Sequence, residues 1–353
     1  MNFITWAFLC AAAALSAAPQ KDAVTSLVQR ATDEQNVPSI SVAVACGGRI
    51  FHATAAGYAD LEGGTKAAPT TLYRIASLSK PVTATLALHL AEQKRVDLDA
   101  PIGKYVTEWP TATAQPTLRQ LLAHRGGIRD YRSANEMFAT VHYDNLSAAL
   151  AGSVLQDPLL FAPGSSMKYS TYGYTVAGAV LEKATGQTFE LLVQSVQPSL
   201  MIDNYFRLTP DRARGYGLYR GKLSNAPAFD SSLKYPGGGL LASATDYLNF
   251  LLALNANKLL PQDRVAEMWT PMSKSPDGRS GYGLGWMTGS RAGHDYVQHG
   301  GNQVGAQAGM RLYPKLGFAW VALSNGEHAD LRKLGDAIEA IFLPASANCP
   351  TTP

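Results

Sequence analysis

Two residues in this sequence could together form a nucleophile and its base: Ser77 and, three positions later, Lys80. The residues at 72–76 predict a short strand, and the mostly apolar run at 82–91 predicts a buried helix. Ser77 would then lie at the first turn of that helix, where free backbone N–H groups stabilise negative charge, with Lys80 on the same face. Because a desolvated lysine can take a proton from a hydroxyl, the pair predicts a reactive serine. The alternative is a helix-capping serine followed by a solvated lysine.

The spacing Ser-x-x-Lys is weak evidence by itself, because it occurs twice more, at Ser165–Lys168 and Ser231–Lys234. Ser165 follows a Pro-Gly pair and belongs to a predicted turn. Ser231 leads into Tyr235-Pro-Gly-Gly-Gly, which we expect not to continue a helix. Only Ser77 has a predicted strand before it and a predicted helix after it.

A tyrosine and a histidine further along the chain could complete a site around Ser77. Tyr169 stands just before a predicted helix at 174–182 and could present its phenol to a cleft. His299 ends a predicted strand and is followed by two glycines, which let a substrate approach the backbone closely. The backbone N–H of Asn302 could then pair with the N–H of Ser77 as an oxyanion hole.

Taken in this order, the Ser77/Lys80 pair, Tyr169 and His299-Gly300-Gly301 resemble the motifs of the serine β-lactamase and penicillin-binding protein superfamily. The chain looks closest to the branch that holds class C β-lactamases, family VIII esterases, D-stereospecific peptidases and the mitochondrial β-lactamase-like protein. The resemblance covers about residues 22–343. It includes the segments 117–124, 237–241 and 281–286. It implies a β-lactamase/transpeptidase-like fold and a two-step acyl transfer that uses no metal and no cofactor.

The resemblance also implies a role for each matched residue. Ser77 would be the acylated nucleophile, and Lys80 and Tyr169 would share the acid and base work. His299 stands where many relatives carry lysine. The expected site thus contains, for catalysis, Ser77, Lys80, Tyr169 and His299 and, for oxyanion or substrate binding, Ser77, Asn302, Thr171, Gly300 and Gly301.

Two positions depart from the pattern of the superfamily. Thr171 stands where relatives commonly have asparagine, and a hydroxyl lacks the paired donor and acceptor groups of an amide, so we expect altered substrate positioning. His299 replaces lysine, and a histidine of ordinary pKa is mostly neutral at pH 7. The weaker positive field predicts that short esters or peptide-like amides are better substrates than penicillins.

The sequence leaves the choice of base between Lys80 and Tyr169 open. Their ordinary pKa values lie near 10, so either group needs a lowering of about three units, roughly 4 kcal/mol, to act at pH 7. A charged Lys80 would favour the Tyr169 phenolate, and we therefore expect a coupled pair in which each group helps the other.

Strand patterns lie at both ends of the sequence, and helical patterns lie in the middle. They predict an α/β (α+β) fold in which an antiparallel sheet, built from both termini and flanked by helices, carries an inserted and mostly helical lobe. The strands expected near the C-terminal end are 282–286, 296–299, 306–313 and 318–324. The expected divisions are a signal peptide at 1–18, a hydrolase domain at 22–343 (sheet lobe 22–95 and 235–343, helical lobe 96–234) and a tail at 344–353.

Composition narrows the class of protein further. The 353 residues are 46% hydrophobic, and the net charge of +3 comes without a Lys/Arg cluster, which gives little support to nucleic-acid binding. The apolar run at 3–18 resembles a secretory signal peptide and predicts a secreted or periplasmic protein without stable membrane insertion after cleavage, the alternative being an uncleaved anchor. In an oxidising compartment Cys46 and Cys349 could pair; otherwise Cys46 is a buried thiol.

We therefore expect a serine hydrolase that acts through a covalent acyl-enzyme on ester, amide or β-lactam carbonyls of a small-molecule or peptide-like substrate. Two alternatives stay open. One is a D,D-carboxypeptidase or penicillin-binding protein, and the other is a non-catalytic binding or self-assembling protein that keeps the cleft. The sequence does not fix the oligomeric state.

Overall fold

The computed structural model describes residues 4–110, 114–275, 278 and 280–343, with side chains from residue 19 onward. The strands are β1 (Ser39–Cys46), β2 (Arg49–Asp60), β3 (Thr65–Lys66), β4 (Tyr73–Arg74), β5 (Met201–Ile202), β6 (Tyr216–Tyr219), β7 (Lys222–Asn225), β8 (Leu240–Ala242), β9 (Ser273–Lys274), β10 (Ser280–Tyr282), β11 (Met287–Arg291), β12 (His294–Gln303), β13 (Ala306–Tyr313) and β14 (Phe318–Ser324). The helices are α1 (Ile4–Glu34), α2 (Ser79–Glu92), α3 (Leu118–Leu122), α4 (Ala134–Met137), α5 (Leu146–Ala151), α6 (Thr171–Thr185), α7 (Phe189–Val196), α8 (Tyr235–Gly238), α9 (Ala244–Asn255), α10 (Gln262–Trp269) and α11 (Leu331–Phe342).

The main sheet joins strands from both ends of the sequence, as predicted. Its nine strands follow the order β3-β2-β1-β14-β13-β12-β11-β10-β9, and their pairings are antiparallel. The first long strand and the last meet at the centre, where Ile40 pairs with Ser324. A small sheet with the order β4-β8-β5 lies apart from it and fixes the segment that leads to Ser77.

Helices cover both faces of the sheet, so its central strands are buried on both sides. All eight residues of β1 are buried. On one face Val28 of α1 and Ile338 of α11 share a core with Val42. On the other face Leu248 of α9 and Leu86 of α2 belong to the larger core, which continues into the helical region. Successive side chains of a strand point to opposite faces of the sheet. A strand that is buried along its whole length therefore needs a layer of helices on each face.

The strand expected at 282–286 is wrong. β10 ends at Tyr282, and the next four residues form a turn into β11. Gly285 has φ +82°, and a Cβ there would lie 2.7 Å from the Cβ of Ala84. Gly285 therefore permits a close approach to α2, and Gly283 permits one to the carbonyl of Met268 in α10; an apolar and aromatic pattern alone reveals neither.

The segment after Ser231 also differs from expectation. Ser232–Lys234 forms a 3₁₀ turn, and α8 continues it through Pro236 and two glycines. The proline lies in the first turn of α8, where its missing N–H costs little. The N-terminus of α9 is capped by Ser243, whose hydroxyl accepts the N–H of Asp246.

At the N-terminal end, α1 runs through the expected signal segment and continues to Glu34, with Pro19 inside it. Cleavage of a signal peptide stays a prediction. Within the described residues no helix has the length and hydropathy that crossing a bilayer requires. Cys46 is disulfide-bonded. The expected partner Cys349 belongs to the tail at 344–353, which lies outside the described residues, so that pairing stays a prediction.

Candidate active site

Ser77 lies at the centre of a 3₁₀ turn, Ala76–Leu78, between β4 and α2. The preceding residue, Ala76, has φ +47°, a left-handed backbone conformation that residues other than glycine rarely adopt. β4 is held by its pairing with β8, so the turn projects from a fixed strand. The predicted position of Ser77, after a strand and at the start of a helix, is confirmed.

Lys80 lies next to Ser77 and is completely buried. Its ammonium donates to the hydroxyl of Ser77 at 3.1 Å and to the carbonyl oxygen of Gly237 at 2.6 Å. Burial lowers the pKa of Lys80 to about 7; the carboxylate of Asp130 opposes this shift, and the ammonium of Lys234 adds to it. Near pH 7 about half of the molecules therefore carry a neutral amine that can accept the Ser77 proton.

Tyr169 approaches Ser77 from the segment before α6. The ammonium of Lys80 is 4.7 Å from the centre of the Tyr169 ring, and the phenol hydrogen-bonds with the Ser77 side chain. Burial raises the pKa of Tyr169 above its ordinary value, and the hydrogen bond to Ser77 opposes this only in part. We expected each group to lower the pKa of the other, and for the phenol this is wrong. The phenolate would lose more stabilisation through lost hydration than attraction to the Lys80 ammonium would restore.

His299 is buried on β12, and its Nδ1–H donates to the carbonyl oxygen of Gly300 at 2.7 Å. Burial lowers the pKa of His299 to about 3, and the charge of Lys80 adds to this effect. The ring is therefore neutral throughout the physiological range. The sequence predicted a mostly neutral histidine, and burial strengthens that effect.

A second histidine fixes the orientation of His299 through a tyrosine. The backbone N–H of Ser170 donates to Nδ1 of His124 at 3.1 Å. His124 must then donate from Nε2 to the hydroxyl of Tyr282, 3.0 Å away. The Tyr282 hydroxyl in turn donates to Nε2 of His299, 3.2 Å away, because Nδ1 of that ring carries its proton to Gly300. Each proton in this chain has one consistent position, with both histidines neutral.

The glycines after His299 bring β12 against the nucleophile. A Cβ on Gly301 would lie 2.9 Å from the backbone nitrogen of Ser77, so only glycine fits there. A Cβ on Gly300 would meet nothing within 4 Å. β11 pairs with β12 only up to Gln298, which leaves the edge of β12 beyond that residue open to a ligand.

Asn302 contributes its backbone to this edge, while its side chain points elsewhere. The side-chain amide donates to the carbonyl oxygen of Glu327 at 3.2 Å. A connection of two residues joins β12 to β13, so Gln303 and Ala306 form the closing hydrogen-bonded pair, and Asn302 faces Gln307 as a non-hydrogen-bonded pair. The N–H of Asn302 is therefore directed away from β13, as an oxyanion hole shared with the Ser77 N–H requires.

Thr171 begins α6 on the opposite side of the nucleophile. Its backbone N–H donates to the carboxylate of Asp130 at 3.1 Å, and its methyl group packs on Gly237, whose carbonyl oxygen accepts the hydrogen bond from Lys80.

A cleft beside these residues has a volume of about 950 Å³. Two of the residues expected for catalysis, the open edge of β12 and three methionines line it, namely Tyr169, His299, Gly300, Gly301, Met167, Met287 and Met310. Its walls therefore offer an adaptable apolar surface beside the polar groups.

Comparison with known proteins places this geometry in a family. A family model described as Beta-lactamase matches residues 24–341. The chain belongs to the beta-lactamase family. The serine beta-lactamase-like protein LACTB, mitochondrial, of Bos taurus is 28% identical to it over 398 residues, which cover 83% of this chain and 72% of that protein.

Two solved structures share the fold of this beta-lactamase-family chain. The octameric penicillin-binding protein homologue from Pyrococcus abyssi has a TM-score of 0.78 at 23% identity, over 91% of this chain and 76% of that chain. The D-amino acid amidase from Ochrobactrum anthropi SV3 has the same TM-score, 0.78, at 21% identity, over 93% of this chain and 99% of that chain. The predicted β-lactamase/transpeptidase-like fold is confirmed.

Within this beta-lactamase-family fold, the catalytic residues expected from the sequence meet around Ser77. The sequence did not identify Asp130, His124 or Tyr282 as contributors. The latter two lie in segments that carried the resemblance, at 117–124 and 281–286, but nothing in their spacing reveals a hydrogen bond that joins the two segments. Asp130 follows a pair of glycines, an isoleucine and an arginine, a pattern that predicts only a loop.

Proposed function

We propose that this protein is a serine hydrolase that cleaves short esters or peptide-like amides through an acyl-enzyme at Ser77. The observation that supports the proposal most strongly is the 3.1 Å contact between Lys80 and Ser77, made by an amine whose pKa burial lowers to about 7. A capping serine with a solvated lysine would have neither the contact nor the burial. The alternative that the sequence left open at this motif therefore loses its support.

The proposed mechanism divides the proton work between two groups. Neutral Lys80 accepts the Ser77 proton as the oxygen attacks the carbonyl carbon, and the amides of Ser77 and Asn302 stabilise the oxyanion. Tyr169 keeps its proton and hydrogen-bonds with Ser77, so it can pass a proton to the leaving group while the protonated amine of Lys80 restores it. Water, deprotonated by Lys80, then releases the acid and regenerates Ser77.

A fluorophosphonate probe tests the nucleophile directly. Wild-type protein should gain the mass of one adduct, and Ser77→Ala should gain none. Ser165→Ala provides a matched control, because this exposed serine has the same spacing to a lysine and should leave labelling unchanged. If Ser77→Ala is labelled as fast as the wild type, the assignment of the nucleophile fails. If a panel of such probes labels neither protein, the non-catalytic binding protein becomes the better hypothesis.

The neutral state of His299 supports the choice of substrate. Lys80 is the cationic side chain nearest the nucleophile, so the site offers a weak field to the carboxylate of a penicillin or of a D-alanine terminus. We expect kcat/KM for a short-chain nitrophenyl ester to exceed that for nitrocefin, and His299→Lys to narrow the difference. A large preference of the wild-type protein for nitrocefin would contradict this proposal. Release of D-alanine from a cell-wall peptide would favour the D,D-carboxypeptidase instead.

Export is a separate proposal and rests on residues 1–18 alone. Sequencing the N-terminus of the protein purified from its native host tests it. A mature chain that begins shortly after residue 16 supports secretion to the periplasm or beyond, and an intact N-terminus contradicts cleavage.

A further inference from the structure

A second cavity lies outside the catalytic cleft and is lined by arginines. It has a volume of about 440 Å³ and lies between β4 and the segment 205–228. Arg74, Arg212 and Arg214 contribute to its walls, and none of the residues that line it is acidic. Arg214 is half exposed and lies within 3.7 Å of the carboxylates of Asp60 and Glu62, so its charge is already balanced.

The other two arginines share one buried carboxylate. Nε of Arg74 donates to Oδ2 of Asp203 at 2.8 Å, and Nη2 of Arg212 lies 2.5 Å from Oδ1 of the same side chain. The hydroxyl of Ser231 also donates to Asp203. One carboxylate therefore serves both guanidinium groups. Within the described residues, the terminal nitrogens of Arg74 make no hydrogen bond.

A third cation, Lys234, lies near this pair and feels the field of the same carboxylate. Lys234 is buried, with 5% of its surface exposed, and its ammonium is 4.4 Å from the centre of the Phe229 ring; the guanidinium carbon of Arg74 is also 4.4 Å from that ring. In the described part of the chain Lys234 has neither a hydrogen bond nor an ion pair. Burial, with Arg74 as the next cause, lowers the pKa of Lys234 to about 8, so it is mostly charged at pH 7.

The group as a whole has an uncompensated charge of two. Three cations, from Arg74, Arg212 and Lys234, surround the single anion of Asp203. Removing charges from water is costly, and buried charges in proteins are normally paired or bound to a ligand. A cavity that is walled by two of these cations and contains no acid has the composition of a site for an anion.

We propose that this cavity binds an anionic group, a carboxylate or a phosphate, through the guanidinium groups of Arg74 and Arg212. Free guanidinium N–H groups recognise such oxygens in pairs. Lys234, which packs on the Phe229 ring and does not line the cavity, adds positive charge without touching the ligand. The site stands independently of the proposed hydrolase activity, because none of its residues touches Ser77, although Arg74 lies only three residues before it.

Calorimetric titration of the full chain at low ionic strength tests the proposal, with inorganic phosphate in one arm and succinate in the other. Wild-type protein should bind at least one of the two saturably at about 10 mM or below, and the stronger of the two identifies the class of ligand. Arg212→Gln should weaken binding at least tenfold. Lys315→Gln removes the same charge at an exposed position and should bind like the wild type.

A second variant keeps the test decisive if Arg212→Gln is poorly folded. Ala228 is exposed and lines the cavity, so Ala228→Trp should block entry without removing a charge. Loss of binding in Ala228→Trp, with unchanged thermal unfolding in buffer alone, supports a site in the cavity. The proposal is overturned if wild-type protein binds neither probe, or if both variants bind as tightly as the wild type.

Discussion

The ionisation of Lys80 can be shifted in both directions by changing one neighbour at a time. The carboxylate of Asp130 raises the pKa of Lys80, and the ammonium of Lys234 lowers it. Asp130→Asn should therefore lower the pKa of Lys80, and Lys234→Met should raise it. Asparagine keeps an oxygen for the Thr171 N–H, and methionine keeps the length of the lysine, so both changes remove charge with little change of shape.

The magnitude follows from the position of the pKa. Moving a lysine from 10.5 to about 7 amounts to 3.5 units, or about 5 kcal/mol at 1.36 kcal/mol per unit. With an ordinary pKa only about three molecules in ten thousand would carry neutral Lys80 at pH 7, against about half here. For wild-type protein, kcat/KM should hence fall below pH 7, and at pH 6 it should be about a tenth of its plateau.

The assay is the dependence of kcat/KM on pH for an uncharged nitrophenyl ester between pH 5 and 9. The acid limb should move to lower pH in Asp130→Asn and to higher pH in Lys234→Met. Lys222→Met removes a charge from an exposed position on β7 and should leave the limb in place. Shifts of Asp130→Asn and Lys234→Met in the same direction, or a wild-type profile that is flat down to pH 5, would refute the assignment of Lys80 as base.

Three further perturbations examine other parts of the site. Tyr282→Phe removes the hydroxyl between the two histidines. Because about 1.4 kcal/mol of positioning is lost, kcat should fall about tenfold with little change in KM and in the thermal midpoint. An unchanged kcat would contradict the role of this hydrogen-bonded chain. Gly301→Ala should abolish labelling of Ser77 by a fluorophosphonate because its Cβ would collide with the Ser77 nitrogen, whereas Gly300→Ala, which meets nothing, should be labelled normally; equal labelling of both would refute the close approach. The pKa of Lys80 is lower in the folded protein than in the unfolded chain, so the unfolded chain binds more protons between pH 7 and 10.5. The unfolding free energy of wild type relative to Lys80→Met should therefore rise with pH in that window, by up to about 5 kcal/mol. A constant or falling difference in denaturant titrations would show that Lys80 is not buried as a near-neutral amine.

The fold was predictable because its signals are local and repeated. The strands at 306–313 and 318–324 have the predicted bounds, since turn residues flank both: Gly305 precedes the first, and Pro314 and Gly317 lie between the two. The turn at 283–286 was not predictable, because the contact that requires glycine at 285 is with Ala84 of α2, which lies about 200 residues earlier in the sequence. The order of the strands in the sheet likewise depends on pairing between distant segments, which no single segment encodes.

The candidate site was predictable in its residues and not in its electrostatics. Spacing and order identified Ser77, Lys80, Tyr169 and His299, whereas the base depended on burial. Lys80 is buried and Tyr169 is half-buried, and the loss of hydration shifts their pKa values in opposite directions, since it favours the neutral amine of Lys80 and the neutral phenol of Tyr169. The structure therefore favours Lys80 as base and Tyr169 as acid, a distinction that two ordinary pKa values near 10 could not provide.

The neutral His299 changes where the site obtains its positive field. A lysine at this position, as the resemblance leads one to expect, would help to keep Lys80 neutral by repulsion. With His299 uncharged, burial supplies most of the lowering of the Lys80 pKa, and the buried ammonium of Lys234 supplies the repulsion. Lys234 is also part of the cationic group around Asp203. An anion bound at Arg74 and Arg212 would offset that charge, raise the pKa of Lys80 and so reduce the fraction of active enzyme below pH 7, which links the occupancy of the arginine cavity to the acid limb of catalysis.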